Sequence, residues 1–228
     1  MRESLQVPLF PLPNVVHFPQ TELRLHIFEP RYRQLIADLQ RLPPAQQLIG
    51  MVVLVPGVEE RRPAIFSAGT AGRVLEVAPL ADGRFDILLH GAFRFEVRAE
   101  VDPAEEPPTP YRRALVQPVD EPRLDERSPD VRSRRQVILR TAYGLSHELP
   151  DRFPLSVVEL RELDRKPLEP LVNGLCARLD LPVLRKIELL SLDLPDRTAT
   201  LQRVLESRRQ VLEDLRRFRH LDANPELN

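Results

Sequence analysis

The hydrophobic period of this 228-residue chain changes once, and that change restricts the fold more than any motif does. Up to about residue 118, apolar residues alternate with polar ones or run in short blocks. Beyond about residue 130 they recur at helical spacing. Strands first and helices afterwards predict an α+β protein in which sheet and helices are segregated. Between the two regimes lies "PVDEPRLDERSPD" (118–130), polar and with three prolines, which marks the domain boundary. The expected organisation is a β-domain over 1–120 and a helical bundle over 121–228.

Within the first half, "LRLHIF" (23–28) places Leu23, Leu25 and Ile27 on one strand face. "LIGMVVLV" (48–55) is a continuous apolar run, expected of a strand buried on both faces. "GRVLEVAPL" (72–80) and "RFDILLHG" (84–91) read as a hairpin turning at Asp82-Gly83. "AFRFEVRAE" (92–100) and "RRALVQPV" (112–119) read as further strands. One helix interrupts them. It opens at Pro30, carries Tyr32, Leu35, Ile36 and Leu39 on one face, and stops before Pro43-Pro44. The Pro- and acid-rich stretch 101–110 reads as a mobile loop.

The second half predicts about four helices. One spans about 130–148. A second carries Leu168, Leu171, Val172, Leu175, Cys176 and Leu179. A short third opens at Pro182, and a long last one carries the stripe from Leu201 to Phe218.

The opening stretch "VPLFPLPNVVHFP" (7–19) resists assignment. Its apolar residues want burial, yet Pro8, Pro11, Pro13 and Pro19 have no N–H for a sheet ladder. It is therefore expected to be an irregular or edge element packed on the β-domain, with a bend near Asn14.

Formal net charge is -1, so the overall field favours neither nucleic acid nor an anionic membrane. Only Lys166 and Lys186 are lysines among the 33 basic residues. No apolar run is long and uninterrupted enough for a membrane helix, and no signal peptide is expected. Cys176 is the sole cysteine, which excludes an intramolecular disulfide and suits a cytoplasmic setting.

Catalytic signatures are missing. The eight glycines are never spaced for a dinucleotide fingerprint or a P-loop. His147-Glu148 starts like a zinc-protease motif, but Asp151 stands at the fifth position and Pro150 would break the helix. The other histidines show no ligand spacing, and no G-x-S-x-G elbow is present. No metal, cofactor or catalytic residue is expected.

Several segments together resemble the Lon protease N-terminal, substrate-binding domain, and more closely short bacterial proteins made of that domain alone. They are "VPLFPLPNVVHFPQTELRLHIFEPRYRQLI", "GTAGRVLEV" (69–77), "DGRFDILLHGAFRFEV" (82–97) and "LVNGLCARLDLPVLRKIELLSLDLPDRTATLQRVL" (171–205). The resemblance covers about 5–219. It implies a PUA-like mixed β pseudo-barrel followed by a helical bundle. It also implies a part in recognising protein substrates for an ATP-dependent protease, whose ATPase and peptidase modules are not in these residues.

The expected function is therefore a non-catalytic module that binds unfolded or apolar segments of other proteins. Phe10, Leu12, Val15 and Phe18 are the candidate contact residues, rimmed by Arg31 and Tyr32, residue types common at binding hot spots. The competing reading places Phe10, Phe18 and Tyr32 in the core. The alternative function is RNA binding, since PUA-like folds often bind RNA. Interspersed acids and few aromatics argue against it, and "RSRRQ" (132–136) and "RRFR" (216–219) are the only dense basic runs.

Overall fold

A computed structural model describes residues 3–57, 62–102, 108–122 and 124–222, with side chains as far as residue 216. Six strands are followed by helices in an α+β arrangement. Half of the 101–110 loop (103–107) and the side chain of Phe218, both read from sequence above, lie outside the described residues.

The chain forms two compact units. The first comprises Met1–Glu121 and Leu181–Ser191, the second Pro122–Asp180 and Leu192–Asn228.

In the first unit the strands are β1 (Leu5–Leu12), β2 (Glu22–Ile27), β3 (Leu48–Leu54), β4 (Ile65–Pro79), β5 (Phe85–Glu100) and β6 (Arg113–Pro118). They lie in the order β2-β5-β4-β3-β1-β6, and β5 also pairs with β6. That last pairing closes five strands into a barrel, with β2 appended along the first half of β5. The mixed character comes from β1, parallel to β3 and antiparallel to β6.

The opening stretch is thus corrected. Its first part, to Leu12, is a regular strand with neighbours on both sides, not an irregular or edge element, whereas 13–19 is irregular and bends at Pro13–Asn14 as expected. Leu5 to Pro8 pair with β6, and Leu9 to Leu12 pair with β3. Leu9 donates its N–H to Arg112 O at 2.7 Å, so alternation turns the Pro8 nitrogen towards β3, ahead of the β3 pairing. The Pro11 nitrogen turns towards β6, beyond the strand's first residue, Arg113. Each missing N–H therefore falls where no ladder runs.

The same alternation explains why the stretch has no polar face. Val7 and Leu9 enter the barrel interior with Val52, Ala71, Phe95, Ala114 and Val116. Phe10 points the other way, into a core capped by helix α1 (Pro30–Leu39), with Tyr32, Leu35, Ile36 and Leu39. A strand covered on both faces reads as a nearly continuous apolar run.

Two strands expected at 84–91 and 92–100 are one, β5, which continues through Gly91. A Cβ on Gly91 would sit 2.3 Å from Phe18 O, so the glycine admits the neighbouring backbone rather than ending the strand. Gly83, at φ +76, makes the predicted hairpin turn.

In the second unit the helices are α2 (Pro129–Glu148), α3 (Val157–Asp164), α4 (Leu168–Arg178) and α6 (Leu194–Asp222). The short helix expected after Pro182 exists as α5 (Val183–Ser191) but belongs to the β unit. Arg94 of β5, itself buried, donates Nη1 to Leu190 O in the last turn of α5 at 2.8 Å. A cation at a helix C-terminus satisfies a free carbonyl and complements the dipole. The second unit holds four helices nonetheless, because α3 escaped the sequence reading. Its signal was present: Ser156 and Glu159 form a reciprocal capping box.

Leucines from all four helices fill the second unit's core, including Leu145, Leu160, Leu171, Leu175 and Leu201. Within it lies Arg197, 0% exposed, donating to Asn173 Oδ1 at 2.6 Å and Leu192 O at 2.7 Å.

Candidate functional site

The first unit carries a groove of about 270 Å3. β1 contributes Pro11, the first turn of α1 contributes Arg31 and Tyr32, and the end of β3 contributes Leu54. Arg62 and Pro63 precede β4, Val101 and Asp102 follow β5, and Thr109 to Arg113 lead into β6. The lining therefore combines apolar and aromatic residues with guanidinium groups.

Several contacts hold this lining in place. Tyr32 stacks on Phe10, with ring centroids 4.0 Å apart. Arg31 lies over the outer face of the Tyr32 region, its Cζ 4.6 Å from the ring centroid, and pairs with Glu29 at 2.7 Å. Tyr111 donates its hydroxyl to Asp38 Oδ2 at 3.0 Å. Burial, and then the Asp38 carboxylate, push the Tyr111 hydroxyl up to about 12. Burial also raises Tyr32.

On the opposite wall Arg112 forks onto Glu100, with Nε to Oε2 at 2.8 Å and Nη2 to Oε1. Its Nη1 donates to Pro63 O at 2.8 Å, and Arg62 reaches the same Glu100 at 2.7 Å. Burial alone would raise the Glu100 carboxyl. Arg112 and Arg62 outweigh it and hold the group below the ordinary carboxylate range. The wall is a preorganised network, whereas Arg31 has half its side chain in solvent.

The six residues expected from sequence separate here. Arg31 and Tyr32 line the groove. Phe10 (6% exposed, on β1, which is covered on both faces), Phe18 (0%, in the segment after β1) and Tyr32 (4%) are all core residues, so of the pair lining the groove Arg31 is the one with substantial exposed surface. Leu12 is half-buried against the α1 core, and Val15 is half-buried in the following turn. Arg62, Tyr111, Arg112 and Arg113 were missed. "PYRR" (110–113) combines aromatic and basic residues, but nothing local shows that β6 delivers it beside α1.

His17 is buried, with Nε2 donating to Thr21 O at 3.1 Å and Nδ1 without a partner. Burial lowers it to about 4. Among the described residues, no three His, Cys, Asp or Glu side chains form a metal-binding group. No described helix is long and apolar enough to cross a membrane.

The model of the ATP-dependent protease La (LON) substrate-binding domain matches residues 6–207. The chain belongs to the Lon substrate-binding domain family. The Lon protease of Flavobacterium johnsoniae is 26% identical over 212 residues, 92% of this chain and 25% of that protein. That of Escherichia coli K12 is 24% identical over 229 residues, 96% of this chain and 27% of that protein. The chain thus spans about a quarter of these Lon proteases. The fold matches the N-terminal domain of the Mycobacterium avium complex Lon protease, with a TM-score of 0.65 and 14% identity. That match covers 89% of this chain and 98% of the other. The Lon-domain fold expected from the sequence is the fold observed.

Proposed function

We propose that this Lon-family domain is a recognition module without catalytic chemistry of its own, which binds apolar segments of unfolded or partly unfolded proteins through the groove beside α1. Family membership supports substrate recognition in general. The groove carries the specific reading. A lining that combines Pro11, Leu54, Val101 and the edge of the buried Tyr32 ring with oriented arginines has the composition of a peptide contact surface. Its residues are already held by Phe10, Asp38 and Glu100, so binding costs little ordering. The groove side chains bind and orient. Tyr111, at about 12, stays protonated near neutral pH, so its hydroxyl remains donated to Asp38 and holds the wall rather than acting as a base.

Further partners follow from the same reading: an ATP-dependent protease that receives the client, in the cytoplasm. The test is fluorescence anisotropy with labelled apolar peptides, paired with light scattering of an aggregating client. Micromolar binding that weakens in Leu54→Asp is expected. No peptide binding and no suppression of aggregation would remove the proposal. Salt-dependent RNA binding in place of peptide binding would establish the alternative.

A further inference from the structure

We infer that the free edge of β2 is a second contact for the same clients, taking an extended client segment as an added strand. This deepens the reading of the domain as a protein-binding module and rests on it.

The observation is a row of backbone groups without partners. β2 pairs with β5 alone. Gly91 donates its N–H to Thr21 O at 2.9 Å, and Gln20 donates to Gly91 O at 2.8 Å, so the Gly91 backbone faces the β2 side. Alternation along β5 turns Leu89, Ile87 and Phe85 the same way, onto their register partners Leu23, Leu25 and Ile27. Glu22, Arg24 and His26 therefore direct their N–H and C=O groups away from β5. Among the described residues none of these groups has a hydrogen-bond partner. Proteins commonly blunt such an edge with a proline or a bulge. β2 contains no proline, and its register with β5 runs without a shift.

The edge is also held in shape. His26 and Asp86 stand opposite each other on β2 and β5 and are joined Nδ1 to Oδ1 at 2.6 Å. The Arg84 guanidinium reaches His26 Nε2 at 3.0 Å. On the other face Leu23 and Leu25 pack half-buried against the α1 core.

These features fit a client segment. An added strand pairs with main-chain groups whatever its side chains are, which suits clients of varied sequence. Its alternate apolar residues extend the row of Leu23 and Leu25. The edge is also continuous with the groove, since Phe28, largely exposed at its end, stands three residues before Arg31, about 10 Å of chain. A second copy of this chain fits less well. One shared six-residue edge falls short of the about 1,200–2,000 Å2 that a stable interface buries. The register with the two-fold axis at Arg24 also sets two arginines face to face.

The experiment titrates the full chain with a labelled peptide of alternating leucine and glutamine, blocked at both ends. Two analogues carry N-methyl groups on every leucine or on every glutamine, which removes the donors from one peptide edge or the other. One analogue is expected to bind at least about tenfold more weakly, while the other binds like the parent. Arg24→Pro deletes an outward N–H without touching the β5 ladder and should weaken binding about tenfold, whereas Arg24→Ala should not. Circular dichroism checks the fold of both. Amide exchange followed by NMR on the unaltered chain gives the same answer without a variant: the Glu22, Arg24 and His26 amides should exchange about tenfold more slowly with peptide. Equal binding of the two analogues, equal binding by Arg24→Pro and Arg24→Ala, or unchanged exchange at these amides each overturns the added strand. So does a dimer, seen in sedimentation, that protects the same amides without peptide. In those cases the groove reading stands if Leu54→Asp still weakens the peptide. Binding that needs the β2 edge but ignores Leu54→Asp removes the groove and keeps the edge. If the peptide does not bind, both fall.

Discussion

Arg197, inside the helical unit, and Arg31, at the groove of the β unit, put one side chain to opposite uses. Arg197 is fully enclosed and spends its donors on Asn173 and the Leu192 carbonyl. Arg31 lies over a tyrosine with half its surface in water. The difference teaches that the abundance of arginine here does not define a function. Burial decides whether a guanidinium holds the fold or faces a partner.

The sharpest way to break this comparison is Arg197→Ala. It strands the buried Asn173 oxygen and the part-buried Leu192 carbonyl and opens a cavity, and unfolding stability should fall by about 3–5 kcal/mol in urea denaturation. A loss under about 1 kcal/mol would mean that the buried arginine is not structural. Gly91→Ala tests the β unit in the same currency. A Cβ 2.3 Å from the Phe18 carbonyl oxygen forces backbone apart, and a loss of about 2–3 kcal/mol is expected.

His17 sharpens the comparison through pH. Its folded value, about 4, lies below the ordinary 6.5 because burial disfavours the imidazolium. Between those values the unfolded chain binds a proton that the folded chain does not. The full contribution is present above about pH 6.5 and is lost as pH falls towards 4, by roughly 2–3 kcal/mol. Urea midpoints across that window should decline in the parent and flatten in His17→Gln. Identical slopes would show that His17 is not the titrating group.

Smaller effects belong to the groove. Tyr111→Phe removes the hydrogen bond to Asp38 and should cost about 0.5–1.5 kcal/mol in stability. Arg31→Ala should leave stability within about 0.5 kcal/mol, since its ion pair is exposed, while weakening peptide binding. A large stability loss in Arg31→Ala would place it with Arg197 and erase the contrast.

How much could be read beforehand follows the range of the signals. α1, α2, α4 and the Asp82-Gly83 hairpin announced themselves through periodicity, prolines and a glycine that turns at positive φ. α3 was equally local, its capping box written in Ser156 and Glu159, and was simply overlooked. Of the groove, Arg31 and Tyr32 were legible because they adjoin a helix start. The other walls were not, because they come from segments about 30 and 80 residues further along the chain, joined by strand pairing.

What the sequence by itself determined is the α+β division, the order of most elements and the Lon-family character, since these rest on spacing and on residues near one another. Only the tertiary structure decided that a proline-rich opening runs between β3 and β6, that β5 closes onto β6, and that α5 packs with the sheet. The reason is physical. A backbone N–H or an amphipathic face carries no label for its partner, and the partner here lies tens to more than a hundred residues away.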